Sequence, residues 1–161
     1  MTVRPIREDD VPAVVGLVRE LADYEKSLDE ARMTREQLHD ALFGPAPALF
    51  GHVACDADGA VVGFALWFLN FSTWRGTHGV YMEDLYVSPA HRGTGLGREL
   101  LRTLAAICTE RGYARLEWSV LDWNTPSIEF YRAAGARPQE GWSVYRLTDD
   151  ALAEFARERT S

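Results

Sequence analysis

Apolar residues recur along the chain with two different periods, and the places where the period changes mark the elements. Val11, Val14, Val15, Val18, Leu21 and Ala22 repeat at intervals of three and four, which predicts a helix over residues 9–24 behind a short strand over 2–6. Thr34 followed by Gln37 reads as a capping box opening a second helix, which Gly44, Pro45 and Pro47 stop just after Leu42. Apolar runs over 49–55 and 60–71 flank Asp56-Ala57-Asp58-Gly59, whose Asp-Gly step is a hairpin signal. A third long strand over 78–87 closes at Ser88-Pro89. Leu100, Leu101, Leu104, Ala105, Ile107 and Cys108 then mark a helix to about Arg111, with Gly112 as its C-terminal cap. A strand over 114–121, a helix over 126–134 stopped by Gly135, a last strand over 142–147 and a terminal helix over 149–159 complete the chain.

The order β-α-α-β-β-β-α-β-α-β predicts one α/β domain over residues 1–161, an antiparallel run of strands followed by a βαβ crossover, with no linker or repeat. With 161 residues and 47% hydrophobic side chains, one core of ordinary size needs no disulfide or metal to hold it. Collagen-like, disordered and small disulfide-rich classes are excluded.

Charge narrows the partners. Seventeen basic against 24 acidic residues leave a net charge of −7, which argues against nucleic acid. Lys26 is the sole lysine, and residues 20–30 hold five acids around it. That run is either a solvated helix end or a rim attracting cations. Cys55 and Cys108 lie far apart and read as reduced thiols of a cytoplasmic protein. His39, His52, His78 and His91 have no metal-ligand spacing, so no metal is expected. The N-terminal residues turn charged at once and no long apolar run follows, so neither a leader nor a membrane span is expected.

The densest chemistry lies between residues 85 and 100. A strand runs into Arg92-Gly93-Thr94-Gly95-Leu96-Gly97, and a helix begins at once. Glycines let backbone N–H groups approach an anion, and the helix N-terminus adds unpaired donors and a positive dipole end. A dinucleotide fingerprint needs a third glycine where Arg98 stands, and a Walker A loop needs a Gly-Lys-Ser/Thr that is absent.

The turn instead resembles the Arg/Gln-x-x-Gly-x-Gly/Ala signature of the GNAT acetyltransferase superfamily. Glu20-Leu21-Ala22-Asp23-Tyr24-Glu25, Tyr81-Met82-Glu83-Asp84-Leu85, the run from Trp123-Asn124-Thr125 to Phe130-Tyr131, and Glu140-Gly141-Trp142 are similar to one branch, the diamine (spermidine/spermine) and thialysine N-acetyltransferases. The resemblance implies the GNAT acyl-CoA N-acyltransferase fold, an α+β arrangement with a mixed, mostly antiparallel twisted sheet, a splayed parallel strand pair and flanking helices. It implies acetyl-CoA as co-substrate, held by Arg92, Gly93, Thr94, Gly95, Leu96 and Gly97 at the pyrophosphate. Leu85, Tyr86 and Val87 would bind the pantetheine arm through backbone, and Asn124, Ser127 and Tyr131 would also contact CoA. A homodimer is implied as well, with the acceptor site near the interface and the last strand contributing.

An alkylamine with a pKa of ~10.4 is protonated at neutral pH, so acyl transfer requires a base. The resemblance makes Glu83 that base, directly or through water, and Tyr131 the acid for the departing thiolate. Adjacent strand residues point to opposite faces, so only one of Glu83 and Asp84 is expected to face the cleft. Tyr24, Glu25, Trp74, Glu83, Asp84, Glu140 and Trp142 match acceptor positions, where carboxylates and aromatic faces hold a cation. Ser72 stands where the branch carries an acid, and the loop after Trp74 is one residue longer, so one anionic subsite is lost and a shorter amine, a diamine or the side-chain amine of a lysine analogue, fits as well as a long polyamine. An aminoglycoside, peptide or protein amine is the alternative acceptor, and a non-catalytic acyl-CoA-binding module the alternative class.

Overall fold

Strand-forming residues between turn signals give five strands, and helical segments cover both faces of the sheet they build. The computed structural model describes residues 1–158. Its elements are β1 (Thr2–Pro5), α1 (Val11–Tyr24), α2 (Arg35–Phe43), β2 (Phe50–Cys55), β3 (Val61–Ser72), β4 (Thr77–Val87), α3 (Leu96–Arg111), β5 (Leu116–Glu117), α4 (Thr125–Ala133) and α5 (Asp149–Arg157). The sheet order is β1-β2-β3-β4-β5, antiparallel except for the parallel β4–β5 pair. Two compact units meet in sequence between Asn124 and Thr125; the sheet and α1 to α3 belong to the first, and α4 and α5 to the second.

Local chemistry accounts for the element ends. Thr34 Oγ1 accepts a bond from the Gln37 N–H at 3.1 Å and Gln37 Oε1 accepts one from the Thr34 N–H at 3.0 Å, so the capping box forms in full. Asp10 begins α1 and is 6% exposed; it accepts two bonds from Arg4 at 2.7 and 2.9 Å and a third from the Arg7 N–H. The Arg4 guanidinium holds the Asp10 carboxyl below the usual aspartate range, against the opposing effect of burial. Gly112 ends α3 with φ of 70°, the left-handed conformation a helix C-terminus favours.

The core lies on the α1 and α2 face. Val14, Val53 and Phe64 are fully buried there with Leu38, Leu66 and Tyr86. The opposite face meets α3, whose Arg111 lies 5.8 Å from the ring of Trp67, the neighbour of Leu66 on β3. His52, 9% exposed, accepts a bond from Trp67 Nε1 at 3.2 Å, and burial lowers its pKa.

Two expected strands are corrected. The run over 114–121 pairs only at Val80 with Leu116 and Tyr81 with Glu117, and then leaves the sheet. Residues 142–147 alternate like a strand yet form no ladder, leaving Trp142, Val144 and Tyr145 between 79% and 97% exposed. Arg159, the expected end of the terminal helix, lies outside the described residues. Among the described residues no helix is long and apolar enough to cross a membrane.

Candidate active site

β4 carries two irregularities that create a site. On one side, its parallel pairing to β5 ends at Tyr81, so among the described residues no strand pairs with that edge from Met82 to Val87. On the other, the register with β3 shifts: Met82 faces Trp67 and Asp84 faces Leu66, leaving Glu83 as an extra residue. Met82 and Asp84, two apart, therefore lie on opposite faces of the sheet. Simple alternation, on which the choice between Glu83 and Asp84 rested, does not hold here.

The bulge places acidic chemistry at the open edge. Glu83 is exposed and Asp84 half-buried on the α1 face, with Glu83 and Glu25 as its charged neighbours. Burial first, and then the charges of Glu83 and Glu25, push the Asp84 carboxyl up to about 7. Glu25, directly after α1, is half-buried and raised by desolvation. A cation here would relieve the unfavourable charge that raises Asp84.

The glycine turn follows directly. Gly93 and Gly95 have φ of 76° and 89°, with nothing within 4 Å of where a Cβ would stand, so the turn is open above its backbone. Thr94 Oγ1 closes it by donating to the His91 carbonyl at 2.6 Å. Gly95 caps α3 without a side-chain bond to the first helical N–H groups. Leu96 is buried as an anchor, while Gly97 lies inside the helix. Open backbone, uncapped helix donors and the adjacent Arg92 cation fit a phosphate group. The exposed Arg92 donates through Nε to the Val87 carbonyl at 3.1 Å, and its guanidinium carbon lies 5.3 Å from the Tyr24 ring and 5.4 Å from the Tyr86 ring. Leu85 and Val87 are half-buried on the uncovered edge, and the buried Tyr86 donates its hydroxyl to Glu20 at 3.2 Å.

The chain after β5 returns to the same place. Asn124, 7% exposed, accepts a bond from the Tyr24 hydroxyl at 3.1 Å. Trp123 lies 6.1 Å from the Tyr24 ring, with Lys26 Nζ 4.6 Å from its own. Trp123, Lys26 and Glu20 had no role assigned from sequence. No spacing rule joins residues about a hundred positions apart, although the acidic run over 20–30 did mark the region.

Other predicted positions lie apart. Trp74 is 85% exposed in the β3–β4 hairpin. Ser72, where an acid was missed, is buried and accepts the Arg75 N–H at 3.1 Å, so its hydroxyl serves the turn. In the second unit, Ser127 and Tyr131 stand one turn apart on α4, and Tyr131 packs 5.3 Å from Phe130. Glu140 borders an open hollow with Arg132 and Arg137, and Trp142 is exposed. Among the described residues no group of side chains is arranged to hold a metal.

Comparison with known proteins gives the family and the fold. The profile of the acetyltransferase (GNAT) family matches residues 15–136. A thialysine N-epsilon-acetyltransferase of Bos taurus is 35% identical over 96% of each chain. A human spermidine/spermine N(1)-acetyltransferase-like protein 1 is 31% identical over 97% of this chain and 24% of its own length. Among solved structures, an integron cassette protein from the mobile metagenome of V. cholerae superposes with a TM-score of 0.81 at 27% identity, covering 98% of both chains.

Proposed function

Because the chain belongs to the acetyltransferase (GNAT) family, we propose that it moves the acetyl group of acetyl-CoA to the primary amine of a small cationic acceptor: a diamine, a polyamine or a thialysine-like side chain. One observation carries the acceptor class, the grouping of Glu83, Asp84 and Glu25 where β4 loses its partner strand. The thialysine acetyltransferase relative supports it. The family match crosses the division at Asn124 and supports reading one GNAT domain.

Acetyl-CoA, when bound, supplies the activated thioester. The turn from Arg92 to Gly97 holds its pyrophosphate by backbone N–H groups and one cation, as the open glycines fit. The uncovered edge at Leu85 and Val87 holds the pantetheine amides, and Asn124 and Ser127 fix the arm. Glu83 accepts a proton from the incoming ammonium, directly or through water, so that the neutral amine attacks. Asp84 and Glu25 favour the cationic form as it arrives. Tyr131, through its phenol hydroxyl, donates to the departing sulfur.

The protein works in the cytoplasm as a homodimer in this reading. Segment 142–147, strand-like but without a ladder, supports an arrangement in which a second copy covers its exposed aromatic residues.

Thiol release from acetyl-CoA tests the proposal across a panel of diamines, polyamines, thialysine, aminoglycosides and peptides. Release is expected with the short diamines and thialysine; release with peptides alone would overturn the acceptor class. Tyr131→Phe is expected to lower kcat by roughly tenfold or more with acetyl-CoA binding nearly intact, as loss of a general acid does. Unchanged turnover would remove Tyr131 from the mechanism.

A further inference from the structure

Tyr24 ends α1, and the resemblance pairs it with the acceptor amine. Its contacts in the structure run elsewhere. The hydroxyl donates to Asn124 Oδ1 at 3.1 Å, and the ring receives the Arg92 guanidinium at 5.3 Å. Arg92 leaves the end of β4, where its Nε bonds the Val87 carbonyl, and Asn124 follows β5. One side chain thus links the two lips of the gap that opens where β4 and β5 part. Tyr86 holds Arg92 from a second side, and its own hydroxyl is tied to Glu20 of α1.

We infer that Tyr24 is a positioning residue for acetyl-CoA, holding Arg92 and Asn124 in place on opposite lips of the gap, rather than a contact for the acceptor. The inference rests on the reading of Arg92 and Asn124 as cofactor residues. A carboxamide has an acceptor end and a donor end, and Tyr24, by donating, fixes the acceptor end of Asn124 toward α1. Asn124 is buried, so this orientation is not exchanged with solvent at low cost. A ring face restrains a guanidinium without taking up its N–H donors, and those of Arg92 other than Nε remain available to phosphate oxygens. An ammonium brought to the Tyr24 ring would meet that guanidinium, a like-charge contact that disfavours the acceptor role.

The experiment compares Tyr24→Phe, Tyr24→Leu, Asn124→Ala and the double variant Tyr24→Phe with Asn124→Ala. Acetyl-CoA Kd is read by calorimetry, and KM for both substrates by thiol release. Tyr24→Phe is expected to raise acetyl-CoA Kd and KM about three- to tenfold, the range of one hydrogen bond, with amine KM moving less than about twofold. Tyr24→Leu, which also removes the ring beneath Arg92, is expected to lose more. In the Asn124→Ala background the hydroxyl should no longer matter, because its partner is gone. A rise in amine KM with acetyl-CoA Kd unchanged, or losses that simply add in the double variant, would overturn the inference. Should wild type bind acetyl-CoA but release thiol with no amine, the acceptor proposal falls while the Kd comparison still decides the role of Tyr24.

Discussion

Asp84 buries a carboxylate beside two others, and the cost has a pH signature. Its folded-state pKa of about 7 lies above the unfolded value of 3.8, so the folded chain binds the extra proton between those limits. The stability this contributes is present below the unfolded value and is lost as pH rises through 7. Asp84→Asn is therefore expected to gain on wild type by on the order of 2 kcal/mol between pH 4 and pH 8, discounted for partial exposure. Urea titrations at the two pH values measure this, and a difference that does not change with pH would show that Asp84 buries no charge. Asp10 has the opposite sign. Its pKa is lowered by Arg4, so Asp10→Asn should cost roughly 3 kcal/mol near pH 7 and progressively less as the pH falls below the ordinary aspartate range. At this scale the sequence marked Glu83, Asp84 and Arg92 as candidates, because they stand in short contiguous strings, and the structure sets them along β4 and in the turn after it. It did not show that Tyr24 reaches Asn124, since that contact depends on where α1 ends over the sheet.

The helical elements and the antiparallel strands could be read because their signals are local. A capping box, an Asp-Gly turn and two glycine caps act within a few residues, and the structure keeps the corresponding boundaries to within one or two positions. The parallel strand and the last strand could not, because a ladder needs a neighbour as well as a pattern. Residues 118–121 and 142–147 have strand-forming side chains, but among the described residues neither run forms a ladder. The glycine turn offers a matched pair of tests. Gly95 at φ of 89° and Gly112 at φ of 70° cap the two ends of α3 in left-handed conformations with open space around each. Replacing either by alanine is expected to cost about 1–2 kcal/mol from backbone strain alone. Only Gly95→Ala should also weaken acetyl-CoA binding, by about tenfold or more, because its methyl group would enter the open space at the α3 N-terminus where the pyrophosphate is proposed to bind. Equal acetyl-CoA affinity in the two variants would detach the turn from the cofactor.

For the whole molecule, the net charge of −7 is unevenly distributed. Acidic groups gather at the end of α1 and along β4, while the turn after β4 is left to glycine backbone and Arg92. Under the proposed function this distribution would draw a cationic acceptor and an anionic cofactor to adjoining regions of one sheet edge, which predicts that salt weakens both bindings. Assembly is a second property at this scale. Sedimentation at micromolar concentration is expected to give twice the 18.1 kDa chain mass, and a monomer there would count against the homodimer. Tyr145→Lys should move the equilibrium toward the monomer by charging an exposed aromatic position of the strand-like segment.

The bulge on β4 divides its residues into those the sheet requires and the one it does not. Every residue of the strand has a partner on β3 except Glu83. Deleting Glu83 would leave Met82 opposite Trp67 and Asp84 opposite Leu66 in an unbroken antiparallel ladder, with every other side chain on its present face. Architecture alone would favour a chain one residue shorter. The Glu83 deletion is therefore expected to fold at least as stably as wild type in urea titration and, with Glu83 as the proposed base, to lose thiol release; retained turnover would remove Glu83 from the mechanism.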